Sequence, residues 1–219
     1  HAPPAPVGGY HLTQAWDYNL PSHPLTDEAG VLGPVVTEKT PYGVVMVRAP
    51  QAWAKGYQGQ DTKVVILDTG IDRDHPLLKT QIANTKDFVG DNNTPYDVAD
   101  HVGHGSHVAG TIAGKNLPNG FSGVAPQAKI SMGRVCSEEG CSSIAVVQGI
   151  NWAVSEKADV LSMSLGGPVG SASEEMAIEL AEKNGVVVVA ASGNDGTGIV
   201  SFPAAFPNLL VNGGTGIAV

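Results

Sequence analysis

The 219-residue chain has no long apolar run, no cluster of basic residues and only two cysteines. Its longest wholly apolar stretches, such as 186–191, are far short of the ~20 residues a membrane-spanning helix needs, so no transmembrane segment is expected. Twelve basic residues stand against twenty-one acidic ones, a formal charge of −9, with no Lys/Arg stripe to follow a phosphate backbone. Nucleic acid is therefore excluded as a partner, and the negative charge is that of an ordinary solvated surface. Cys136 and Cys141, in "RVCSEEGCSS", have no histidine beside them and make a poor zinc site. A turn around Gly140 brings them within bonding range, which points to a short-loop disulfide and hence an oxidising compartment.

What is present is a hydrophobic content of 42%, enough for a substantial core in one large domain. Residues 1–40 stand apart: "HAPPAPVGG", "NLPSHPL" and "VLGPVVTEKTP" are rich in proline and lack sustained periodicity, so they read as an extension or the remnant of a prodomain. From 41 to 219, short apolar runs at 63–68, 128–135, 158–165 and 185–192 read as buried strands. Between them, 104–114, 143–157 and 171–185 read as helices, the last with a capping box from Ser171 to Glu174 and a stop at Gly185. That alternation predicts a three-layer α/β/α fold with a mainly parallel sheet, whose function gathers beyond the carboxyl ends of the strands.

Three histidines, His101, His104 and His107, recur at intervals of three in "HVGHGSHVAGTIAG". The spacing alone fits a metal site, a catalytic base or a plain helix face. No glutamate lies between them as in the H-E-x-x-H zinc pattern, which disfavours a metal-dependent hydrolase. His104 opens its helix, where the positive end of the dipole disfavours imidazolium and keeps the ring able to accept a proton. Asp68 ends an apolar strand, a partly desolvated place that demands a partner, although an aspartate there also caps turns. Asn194, after "VVVVAASG", is placed to donate its amide to an oxygen gaining charge, although Gly-Asn is often only a turn. The strand "LSMSLGGPVG" runs into two glycines and offers an edge to an extended peptide.

In this order, "DTGIDRDHP", "HGSHVAGTIAG", "GVAPQAKI", "SMSLGG" and "VVVVAASGNDG" resemble the subtilisin-like serine proteases, over about residues 41–207. The resemblance implies that Asp68 orients the imidazole, His104 is the general base and acid, and Asn194 supplies the oxyanion-hole amide. His107 becomes a structural histidine and His101 a loop residue. By the same resemblance, Ser164, Leu165, Gly166 and Gly167 on one side and Glu139, Gly140 and Ser142 on the other sandwich a protein or peptide substrate as an added strand. If Glu138 and Glu139 face that peptide, basic side chains upstream of the scissile bond are favoured. The loop "DFVGDNNTPYDVAD" resembles the calcium loop of the thermitase-like branch, which implies a structural Ca2+ held by Asp87, Asp91, Asn93 and Asp97.

The sequence also departs from the family. Leu77 follows Pro76 where many subtilisins carry an aspartate, and "KNLPNGF" replaces the usual asparagine-bearing calcium loop. No Gly-Thr-Ser-Met-Ala segment, which carries the family's nucleophile, occurs before Val219. The fold is thus expected to be incomplete at its carboxyl end, with the catalytic serine beyond the residues in hand. The resemblance implies a secreted endopeptidase, with its own prodomain as a possible partner. The alternative is a peptide-binding pseudoprotease that uses the "SMSLGG" edge without cutting.

Overall fold

The computed structural model describes residues 40–91, 97–115, 121–194, 196 and 198–207, together with the backbone of 9–12 and 217–218. Its centre is a six-stranded parallel sheet. The order across it is β10 (Ile217–Ala218), β9 (Val187–Ala190), β7 (Val160–Met163), β2 (Lys63–Asp68), β4 (Lys129–Arg134) and β3 (Ile82–Asp87). The four strands read from the apolar runs are all there, with β8 (Leu165–Gly166) split from the end of β7 at Ser164. The edge strand β3 is an addition to that reading. Its sequence, IANTKD, buries only the polar Thr85 and Asp87 and gives no apolar run to find.

Strand β2 shows why three layers form. Side chains alternate across a strand, so Val65 and Leu67 enter one core while Val64 and Ile66 enter another. The first core is closed by α4 (Ser143–Ser155) and α5 (Ala172–Lys183), through Val146, Ile150 and Ile178. The second is closed by α3 (His104–Ala113), through Ala109 and Ala113. Ser142 and Ser171 cap α4 and α5 with side-chain oxygens that accept from the backbone at Ala145 and Glu174, as the Ser171 signature predicts.

Helix α3 carries no side-chain cap of its own, since Gly103 stands at that position with φ 88°. Its open N–H groups are met from outside. The carboxylate of Asp100 accepts from the backbone of Gly103 at 2.8 Å and of Ser106 at 2.8 Å, and from the Ser106 and Thr69 hydroxyls at 2.7 and 2.8 Å. Thr69 Oγ1 in turn accepts from the backbone of Gly105 at 2.9 Å. Burial pushes the Asp100 carboxyl up, but these hydrogen bonds outweigh it and hold the group below its ordinary value. Gly105 is the point of closest approach: a Cβ there would collide with the Gly70 carbonyl oxygen and stand 3.1 Å from the Asp68 Cβ.

Two expectations follow from this seating. Gly105→Ala, which helix propensity alone would make stabilising, should instead destabilise by about 1–3 kcal/mol through overpacking. Urea melts give the sign directly, and a gain in stability would contradict the packing described. Asp100→Asn should cost about 1–2 kcal/mol at neutral pH through loss of charge-assisted caps. A carboxyl held below its ordinary value adds stability above its unfolded pKa of about 3.9 and loses it as pH falls through the folded value. The gap between parent and variant should therefore close in acid melts, and a gap independent of pH would sink this assignment.

Candidate active site

The carboxyl ends of the parallel strands gather the polar residues. Asp68 is the last residue of β2 and wholly buried; His104 is the first residue of α3 and 6% exposed. Their side chains meet, with His104 Nδ1 2.7 Å from Asp68 Oδ1. The same Oδ1 accepts from the Thr69 backbone at 2.7 Å, while Oδ2 is buried with no hydrogen-bond partner among the described residues. Burial pushes the Asp68 carboxyl up from its ordinary range, against the pull of the hydrogen bond and charge of His104. The pair fixes the tautomer: with Nδ1–H donated to the carboxylate, Nε2 carries the lone pair.

His104 faces an open groove of about 770 Å³. One wall is α3, through His107, Val108 and Ile112; the other is the ends of β7 and β9, through Ser164, Ser192, Gly193 and Asn194. The groove is mainly apolar away from His104 and Asn194, and so brings the expected base and amide to one cavity. Burial, with the charge of His104, holds His107 below its ordinary value, and its Nδ1 lies 3.5 Å from the Thr111 hydroxyl. His101 is an exposed bend residue, and among the described residues no group of three His, Cys, Asp or Glu side chains is placed to hold a metal.

The edges expected to hold peptide also come together. Cys136 and Cys141 are directly opposed on a hairpin, β5 (Cys136–Ser137) and β6 (Gly140–Ser142), and are joined by a disulfide of 2.07 Å. Glu138 and Glu139 form its exposed turn, beside a second cavity of about 350 Å³ that Thr69, Asp91 and His101 also line. Between β6 and β8 lies a strand of the chain's own amino-terminal segment, β1 (Gly9–Leu12), antiparallel to both. Gly9 and Tyr10 pair with Ser142 and Cys141, and His11 and Leu12 with Gly166 and Leu165. Its carboxyl end thus points along β8 toward Ser164 and the groove that holds His104.

The four residues expected to hold calcium divide differently. Asp87 and Asp91 both turn to the guanidinium of Arg134, at 3.1 Å from Asp87 Oδ1 and 3.0 Å from Asp91 Oδ2. Asp97 accepts from the backbone of Ala99 at 3.2 Å, and Asn93 lies outside the described residues. Among the described residues, then, Asp87 and Asp91 share the Arg134 guanidinium, while Asp97 bonds to backbone. Arg134 and Asp100 are the residues that motif reading missed. Arg134 ends a strand legible as "AKISMGRV", and Asp100 stands four residues before His104, the only signals either gave.

Comparison with known proteins identifies the family. The model of the subtilase family matches residues 59–217. The chain is 42% identical over 186 residues to the major intracellular serine protease of Bacillus subtilis (strain 168), covering 81% of this chain and 58% of that protein. It is 39% identical over 181 residues to subtilisin E of the same strain, covering 80% and 46%. With subtilisin Savinase of Lederbergia lenta it shares 42% over 180 residues, covering 81% and 64%. The chain therefore spans between 46% and 64% of the length of these relatives. Because the family match runs through the Asp68–His104 pair and through both strands that flank β1, this chain belongs to the subtilase family.

Proposed function

We propose that these residues are the larger part of the catalytic domain of a serine endopeptidase. The observation that carries the reading is the buried Asp68–His104 contact of 2.7 Å opening onto a groove that also holds Asn194. In such a site the nucleophile is a serine hydroxyl on a segment that fills the apolar groove along α3, outside the 219 residues. His104 Nε2 takes the hydroxyl proton as the oxygen attacks the peptide carbonyl, then returns it to the leaving amine. Asp68 stabilises the imidazolium between the two transfers and keeps the ring's orientation. The Asn194 amide donates to the oxyanion; loss of such a donor costs about 10²–10³ in turnover, a magnitude measured within this family.

Substrate is held as a strand between β6 and β8. What supports this is the chain's own β1, which already occupies that place through backbone pairing, a mode that is tolerant of sequence. Strand β1 then covers this part of the cleft in the manner of a prodomain tail, with residues 1–40 a segment separate from the peptidase domain of residues 41–219. The Cys136–Cys141 disulfide supports secretion into an oxidising compartment. The major intracellular serine protease of Bacillus subtilis and the intracellular serine protease of Paenibacillus polymyxa, named for a different location, argue against it.

Two measurements on the whole protein test these assignments. His104→Ala should lower kcat on a peptide substrate by about 10⁴-fold or more while leaving KM within a few-fold; retention of turnover would reject the base assignment. His11→Pro removes a backbone N–H from β1 and should weaken its pairing, lowering KM for peptides several-fold. An unchanged KM would mean that β1 does not compete with substrate.

A further inference from the structure

The loop after β3 shows what neutralises its carboxylates. Asp87 ends β3 and Arg134 ends β4, and the two are direct partners in the parallel register. Arg134 is 4% exposed, so its guanidinium is fixed beneath the loop and does not swing into water. Through Nη1 it donates to both Asp87 and Asp91, and through Nη2 to the second oxygen of Asp91. That is a fork matched to a carboxylate, the geometry in which arginine differs most from a point charge. The remaining capacity of Asp87 is used by backbone: Oδ1 also accepts from Val89 and Oδ2 from Gly90, each at 3.1 Å. Hydrogen bonding to Arg134 holds the Asp91 carboxyl below its ordinary value and raises the guanidinium in return.

We infer that Arg134 is the resident counter-cation of Asp87 and Asp91 and that it holds these two carboxylates in place without calcium. A calcium ion needs six to eight oxygens at about 2.3–2.6 Å, with carboxylates foremost among them. Here both oxygens of Asp91 and one of Asp87 are bound to a permanent positive charge, and a divalent cation would have to displace it from a buried position while being repelled by it. The guanidinium does something that an ion in the loop would not. It is covalently part of β4, whose next residue, Val135, donates to the Asp68 carbonyl at 2.9 Å and leads into the disulfide-closed hairpin. The loop is thereby tied to the strand that carries Asp68 and to the edge that holds peptide, with no dependence on the ionic composition outside.

The test is thermal unfolding of the whole purified protein in chelator and in excess calcium, with calcium titration by calorimetry. The parent should melt at the same temperature in both, or show only a calcium response that Asp91→Asn leaves unchanged, which places it elsewhere. Arg134→Gln removes the charge and keeps the carboxylates. This variant should melt lower in chelator, recover in calcium, and lose that recovery when Asp91→Asn is added. A parent whose melting temperature falls in chelator, and whose calcium response Asp91→Asn abolishes, would overturn the inference. So would an Arg134→Gln protein indifferent to calcium. If Arg134→Gln does not fold, the decision rests on the parent and on Asp91→Asn, which should be destabilised equally in chelator and in calcium.

Discussion

A carboxylate taken wholly out of water at the end of the central strand is the constraint on which the rest of this structure depends. Asp68 Oδ1 retains an imidazole hydrogen bond of 2.7 Å, the Thr69 backbone donor and a longer bond of 3.3 Å from the Thr69 hydroxyl, and its second oxygen has no hydrogen-bond partner among the described residues. A buried ionised group with so few partners is stable only where its surroundings are rigid. The rigidity has identifiable sources: six register pairs tie β2 to β4, and Gly105 lets α3 approach until its backbone lies against Gly70. Asp100 and Thr69 then fix the first turn of that helix, so the orientation of the His104 ring is determined two removes from the ring itself.

The same economy of charge recurs one strand away. At the ends of β2, β4 and β3, Asp68, Arg134 and Asp87 occupy successive register positions, so two carboxylates flank one guanidinium across the sheet. The arginine's hydrogen bonds go to the Asp87 side, leaving Asp68 to the histidine. In this division Asp68 meets the imidazole and Asp87 the guanidinium.

The sequence carried much of this arrangement, and the parts it hid are hidden for physical reasons. Three helices and four central strands were readable because each has its own signal, an apolar run or a cap such as Ser171. The Asp68–His104 pairing was readable only through the order of the family motifs, since thirty-six residues separate the two. Strand β1 has no signal of its own: four residues become a strand through partners more than 120 positions away, at 141–142 and 165–166. Strand β3 lies at the edge of the sheet, where its buried positions are the polar Thr85 and Asp87, and so lacks an apolar run. The acidic loop was legible as a set of oxygen donors, but donors do not name their cation. The guanidinium that takes them comes from Arg134, which local sequence presents only as the polar end of a strand.

The central claim is that the Asp68–His104 pair activates a serine seated in the groove beside α3. Labelling the whole protein with a fluorophosphonate, followed by intact mass and peptide mapping, tests it most directly. The account predicts a single adduct on one serine outside residues 1–219, absent when His104 is replaced by alanine. A whole protein that takes up no label, or one labelled equally well without His104, would contradict it.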